Sequence, residues 1–171
     1  MLISGLYQNS ILVEESDWKG VPYVTEIYDS IDFDVLSPVT QVQAVCFLNK
    51  KEVVLYEHVD GYYGLPGGHV KEGEDIKTAL EREISEEIAC KLVDFGPVCY
   101  AKTYKKDSPE KVSYNLRFWA KVELLDSKVK DPDNKALRRV VVPFCEAPEK
   151  LAWGKKGEVL LRLATARFDL K

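Results

Sequence analysis

Apolar and polar positions alternate most clearly where Val112, Tyr114, Leu116, Phe118, Ala120, Val122 and Leu124 are interleaved with Ser113, Asn115, Arg117, Lys121 and Glu123. A period of two sends successive side chains to opposite faces, so this segment predicts a strand with one face in a core and the other mostly wet. Two β-branched and apolar runs, Gln41 to Leu48 and Glu52 to Glu57, flank Asn49, Lys50 and Lys51 and predict a hairpin. The period changes between Glu74 and Cys90, where Ile76, Leu80, Ile84 and Ile88 recur every four residues as one stripe of a helix. Asp60 to Gly68 lies between these patterns, and Gly64, Pro66, Gly67 and Gly68 suit a tight loop there better than a regular element. A loop at Asp131, Pro132, Asp133 and Asn134 leads to a short strand, Arg139 to Phe144, and to a final helix from Gly157 to Arg167. Strands on both sides of a central helix predict a mixed α/β sandwich.

Residues 1–38 stand apart from these patterns. Ile11 to Glu14 and Val21 to Tyr28 flank a turn at Asp17 to Gly20, which suggests a hairpin. Leu6, Tyr7, Trp18, Tyr23, Tyr28 and Phe33 make the section too apolar for a disordered tail, so a dimer contact or a substrate lid is expected of it. The chain of 171 residues, 46% apolar and 30% charged, has length for one sizeable core and none to spare for a second complete domain. We therefore divide it into an extension, 1–38, and a main domain, 39–171.

A formal charge of −4 argues against nucleic acid as a partner, because such affinity comes mainly from Lys and Arg neutralising phosphates. Any phosphate-bearing small molecule must then bring or share a cation. No apolar run approaches the roughly 18 residues that span a bilayer, and Met1 to Ser10 lacks a basic segment followed by an apolar one, so no membrane partner and no export are expected. Cys46, Cys90, Cys99 and Cys145 lack the paired spacing of zinc or redox motifs. Buried reduced thiols, which suit the cytoplasm, are the expectation.

The chemistry concentrates on the central helix. Glu83, Glu86 and Glu87 lie three and four residues apart and share one patch of its surface. Each like-charged pair costs on the order of 0.2–0.5 kcal/mol on an isolated helix, and more when desolvated. Arg82, four residues before Glu86, offsets one charge, and a divalent cation would offset the rest. Mg²⁺ suits such a patch, since it takes hard oxygen ligands, keeps waters and shares substrate phosphates. Alone, a glutamate-rich helix face is usually just solvated. The glycine-rich segment at fixed spacing before it favours the metal reading.

From Gly68 the chain runs five residues to Glu74, seven more to Arg82, and then Glu83, Ile84, Ser85, Glu86, Glu87, Ile88, Ala89 and Cys90. This resembles the Nudix box, and Tyr63, Gly64, Leu65, Pro66 and Gly67 resemble the lead-in common in that family. The resemblance implies an α/β fold, a Nudix-like α/β/α sandwich with a mixed sheet. It implies Glu83, Glu86 and Glu87 as metal ligands for Mg²⁺ (Mn²⁺ as a substitute), with a further oxygen from the Gly67 carbonyl. Glu83, Glu86, Glu87 and Arg82 then form the catalytic set, Glu83 being also a candidate base, while Glu74 supports Arg82 and the loop. Gly67, Gly68 and Tyr63 are the candidate substrate contacts. The implied reaction is attack of water on phosphorus in a nucleoside diphosphate linked to another moiety. ADP-ribose or nucleotide sugars are the first choice of substrate and nucleoside triphosphates the second, with a non-catalytic nucleotide-binding or sensor module as the alternative. A small-molecule nucleotide is thus the expected partner, and a homodimer an open expectation.

Two places depart from the family pattern. Ala89 stands where the family usually has Gly. Either it is forced into a left-handed conformation at roughly 1–2 kcal/mol, or the helix runs on through Lys91. A distal acid expected before the Arg139 strand is missing, which leaves Asp131 and Asp133 as candidates. His58 and His69 are left outside the site, and Tyr62 and Trp119 are weighed as base-stacking surfaces against plain packing.

Overall fold

The computed structural model describes residues 9–169. Nine strands among them form one sheet. They are β1 (Leu12–Trp18), β2 (Val21–Tyr28), β3 (Val39–Asn49), β4 (Glu52–His58), β5 (Tyr63–Gly64), β6 (Gly67–His69), β7 (Cys90–Lys105), β8 (Ser108–Leu124) and β9 (Ala136–Pro143). The helices are α1 (Ile76–Ile88), α2 (Ala147–Leu151) and α3 (Gly154–Asp169). The order across the sheet is β1-β2-β7-β8-β3-β4-β5, with β6 on β3 and β9 on β4. Among the described strands only β3 and β8 run parallel, so the sheet is mixed.

The alternation read from the sequence divides the core in two. Val42, Ala44 and Cys46 of β3, Val54 of β4, and Leu116, Phe118, Ala120 and Val122 of β8 face α1, where they meet Ala79, Leu80, Ile84 and Ile88. Val45 and Phe47 of β3, Val53 and Leu55 of β4 and Trp119 of β8 turn to the other side and pack on Leu151 of α2 and Leu160, Leu161, Leu163 and Ala164 of α3. The result is the expected α/β/α sandwich. Each fully buried Leu or Ile of the α1 stripe contributes roughly 1.5–3 kcal/mol. The same stripe fixes the helix's rotation, and so the direction in which its carboxylates point.

Several boundaries differ from the reading of the sequence. Helix α1 begins at Ile76 because Asp75 caps it, accepting from the Thr78 amide at 3.0 Å. It ends at Ile88, and Ala89 takes the left-handed conformation at φ 47 and ψ 50, so the helix does not continue through Lys91. Ala89 is 1% exposed, and its carbonyl accepts from the Arg139 guanidinium at 2.6 Å. Its methyl is therefore core, and a neighbouring element holds its backbone. Strand β7 went unread because bulges between Leu92 and Asp94 and between Pro97 and Cys99 reverse its inside-outside parity. Strand β9 begins earlier, at Ala136, and α3 is longer at both ends than expected.

At the N-terminal end, β1 and β2 pair antiparallel, with Lys19 and Gly20 both at positive φ between them. Strand β2 pairs in turn with β7. Leu6 and Tyr7 lie outside the described residues. No described helix is long and apolar enough to cross a membrane.

Candidate active site

The site lies where α1 meets the glycine strand β6. Gly67 and Gly68 pair with Gln43 and Val42 of β3, a contact too close for side chains. A Cβ on Gly67 would lie 2.4 Å from the Val42 carbonyl oxygen, and one on Gly68 would lie 2.3 Å from Glu83 Oε1. Free of both, the backbone approaches the helix, and the Gly67 amide donates to Glu87 Oε2 at 2.9 Å. Pairing with β3 makes a short strand of a segment whose glycines read as a loop.

Arg82 is the hub of the charged cluster. Its Nε and Nη2 donate to the two oxygens of Glu74 at 2.8 and 2.9 Å, the bidentate geometry that guanidinium favours. Nη1 donates to Glu83 Oε1 at 2.6 Å and Glu86 Oε2 at 3.4 Å, and Nη2 also donates to the His69 carbonyl at 3.0 Å. Hydrogen bonds from Arg82 and from the Lys71 amide hold the Glu74 carboxyl down at about 2. Arg82 thus ties the box helix to the loop before it, with Glu74 fixing the guanidinium.

Glu83 and Glu87 are buried, 8% and 9% exposed. Burial raises the pKa of Glu83 and pushes that of Glu87 up to about 8, with the neighbouring charges of Glu83 and Asp131 adding to the latter. One guanidinium does not neutralise three carboxylates gathered in a partly dry cleft. Hard oxygens with excess negative charge fit a divalent cation. As placed, no described group of three His, Cys, Asp or Glu side chains converges as a ready metal cage, because Arg82 draws Glu83 and Glu86 while Glu87 takes the Gly67 amide. Mg²⁺ does not require such a cage, since it keeps waters and completes its octahedron with substrate phosphates.

These groups line a cleft of about 360 Å³. Gly67, Gly68, Arg82, Glu83, Glu86 and Glu87 all border it, together with Asp131 and Asp133 of the loop before β9. The Asp131 carboxylate is engaged, accepting from the amides of Asp133, Lys135 and Ala136 at 2.9, 2.7 and 2.8 Å. Burial opposes its charge, but these amides prevail and keep its pKa low. Asp133 is exposed and paired with Lys135 at 2.8 Å. Asp131 thus organises the loop, and the loop is tied to α1 by the Lys130 amide donating to the Glu86 carbonyl at 3.2 Å.

Tyr63 is not brought to the cleft. On β5 it and Gly64 point to opposite faces, and Tyr63 packs on the α2/α3 side, with Lys150 Nζ 5.5 Å from its ring centre. Trp119 is buried in that same core. Tyr62 stacks on His58 at 4.1 Å between ring centres. The sequence reading missed Gln41, Tyr56, His69, Lys71 and Lys135 as lining residues. His69 and Lys71 stand within the box itself, so their sequence position was a usable signal. Lys135 lies beside the Asp131 loop, whereas Gln41 and Tyr56 are distant in sequence and arrive only through sheet pairing.

The NUDIX domain model matches residues 39–163. No curated protein sequence matches the chain. Among solved structures it is similar to the pyrophosphohydrolase BsRppH of Bacillus subtilis, with 20% identity, 90% of this chain and 97% of that one covered, and a TM-score of 0.68. It is also similar to a NUDIX hydrolase from Nitrosomonas europaea, at 20% identity, 78% and 90% coverage and a TM-score of 0.58. An ADP compounds hydrolase shares 14% identity over 94% of both chains, with a TM-score of 0.56. These likenesses establish the fold. The domain match runs from the first residue of β3 into α3 and so takes in the sandwich as well as the box: the chain belongs to the Nudix family of pyrophosphate-bond hydrolases.

Proposed function

We propose that the protein hydrolyses the phosphoanhydride of a nucleoside diphosphate linked to another group, using Mg²⁺, or Mn²⁺ in its place, held by Glu83, Glu86, Glu87 and the Gly67 carbonyl. The observation that carries this reading is the pair of buried carboxylates, Glu83 and Glu87, set against the two glycines of β6 at the wall of a cleft. Their raised proton affinity reflects burial first and repulsion from neighbouring carboxylates second, a cost to the charged forms that a divalent cation would relieve. Bound there, the ion would polarise phosphorus and stabilise negative charge on the departing phosphate.

The chain's own groups divide the remaining work. Gly67 and Gly68, bare of side chains, bring the β6 backbone against Glu83 and Glu87 at the cleft wall, where they are the candidate phosphate contacts. Arg82 holds Glu83 and Glu86 in register through the Glu74 clamp. With Asp131 occupied by three amides and Asp133 paired to Lys135, the carboxylates able to accept a proton from an attacking water lie in the box, Glu83 first among them. ADP-ribose-like or nucleotide-sugar compounds are the favoured substrates, a choice supported by the likeness to an ADP compounds hydrolase, and nucleoside triphosphates come second. Residues 39–171 form the hydrolase unit in this reading. All four cysteines are free, with Cys46, Cys90 and Cys99 buried as expected and Cys145 exposed instead, and the free thiols support a cytoplasmic setting.

Phosphate release from a small library of nucleoside diphosphate derivatives, followed by a coupled assay with and without Mg²⁺, tests this reading. Metal-dependent release from at least one ADP-linked compound is expected. Binding of these compounds with no release across the library would instead identify a nucleotide-binding module.

A further inference from the structure

Tyr56 belongs to β4, where its neighbour on the same face, Val54, is wholly buried against α1. Two residues on, the Tyr56 side chain leaves the core and reaches the wall of the cleft beside Gly67, Glu83 and Glu87. Strand β5 fixes the ring, since Tyr56 pairs with Gly64. A Cβ on Gly64 would come within 2.3 Å of the Tyr56 Cζ and 2.4 Å of its hydroxyl oxygen. The phenol therefore packs against Gly64, in space that a side chain at 64 would fill. Phenylalanine would keep the ring contacts with Gly64 and lose only the hydroxyl oxygen.

The hydroxyl makes no hydrogen bond to a described residue. Of the other donors lining the cleft, Arg82 serves Glu74, Glu83, Glu86 and the His69 carbonyl, the Gly67 amide serves Glu87, and Lys135 serves Asp133, while Lys71 stands there as a charged donor. A half-buried O–H without a protein partner is expected to find one in solvent or ligand. A cleft lined by five carboxylates and the cations Lys71, Arg82 and Lys135 offers a phosphate few neutral donors. We propose that the Tyr56 hydroxyl donates a hydrogen bond to a non-bridging phosphate oxygen of the substrate, a role that rests on the reading of this cleft as a phosphate site.

Methylenediphosphonate with Mg²⁺, titrated calorimetrically into the full chain, probes this contact without requiring turnover. Tyr56→Phe should melt within about 1 °C of the parent and bind the diphosphonate about five- to twentyfold more weakly. With the best substrate of the library its turnover should fall as well. Equal affinity in parent and variant, no diphosphonate binding by the parent, or a variant melting far below the parent would each overturn the proposal. Tyr56-dependent binding by a parent that hydrolyses nothing would leave this contact standing and overturn the hydrolase reading. Robust hydrolysis unchanged in Tyr56→Phe, with unchanged affinity, would do the reverse.

Discussion

Replacing Gly68 by Ala should separate catalysis from folding. The new Cβ would sit 2.3 Å from Glu83 Oε1, 2.7 Å from its Cδ and 2.9 Å from Oε2, where ordinary contact begins at 3.4 Å. The Glu83 carboxylate must therefore retreat by about 1 Å (3.4 − 2.3), and its 2.6 Å bond to Arg82 must lengthen or break. The obstructing atoms are the far end of a side chain, so the backbone need not move. Misplacing a catalytic group by 1 Å costs about a hundredfold in turnover, or ~2.7 kcal/mol of barrier. Stability should change little, since the weakened ion pair is partly offset by the ~0.4–1 kcal/mol that Gly→Ala gains through the unfolded chain. Gly67→Ala makes the contrast, because its Cβ would meet the Val42 carbonyl oxygen at 2.4 Å and the Gln43 Cα at 2.6 Å, both backbone. Strand β6 would have to shift from β3, at a cost of roughly 1–3 kcal/mol or more. Turnover on the best library substrate and thermal melting of the three proteins supply the comparison. Parent-like turnover in Gly68→Ala would refute the role given to Glu83, and parent-like stability in Gly67→Ala would refute the close approach of the strands.

Three further outcomes are expected. In chelator, stability should fall as pH rises from about 4.5 towards about 8, because the folded state holds the Glu87 proton over that window while the unfolded chain has released it. Glu87 can contribute at most about 1.4 kcal/mol per pH unit, and Glu87→Gln should flatten the slope; an unchanged slope in denaturant melts would count against the burial argument. Asp131→Ala leaves the amides of Asp133, Lys135 and Ala136 without their acceptor, so turnover should drop while the acidic limb of the pH–rate profile stays in place. Disappearance of that limb would make Asp131 the base. Ala89→Gly relieves ~1–2 kcal/mol of left-handed strain but loses a buried methyl worth ~0.8 kcal/mol and the entropic advantage of Ala, so stability should stay within about 1 kcal/mol and turnover within a few-fold. Near-complete loss of activity on a substrate assay would show that the departure at Ala89 reaches the chemistry.

What could be read in the chain followed from regular periods. Ile76, Leu80, Ile84 and Ile88 fix both the existence of α1 and the face on which Glu83, Glu86 and Glu87 stand. The strict alternation from Val112 to Leu124 marks β8 for the same reason. Strand β7 was hidden because its bulges change parity midway, so no single alternation spans Cys90–Lys105. Strand β6 was hidden because two of its three residues are Gly, and its extended form depends on β3 as a partner. At the site, the box residues were legible because they stand at fixed spacing along one continuous stretch, from the glycines of β6 through α1. Tyr56 and Gln41 were not, since long-range pairing brings them to the cleft, and the same geometry turns Tyr63 away from it. That Asp131 spends its carboxylate on three amides is a fact of loop conformation, which composition does not encode.

The most direct test of the account is turnover as a function of Mg²⁺ for the parent and for Glu86→Gln and Glu87→Gln. The parent should be silent in chelator and activated by the ion. Each variant should fold, respond to Mg²⁺ only at higher concentration, and turn over roughly a hundredfold more slowly or worse, ~3 kcal/mol of transition-state stabilisation. Variants with the parent's turnover and the parent's half-saturating Mg²⁺ would remove the metal from these carboxylates and contradict the account at its centre.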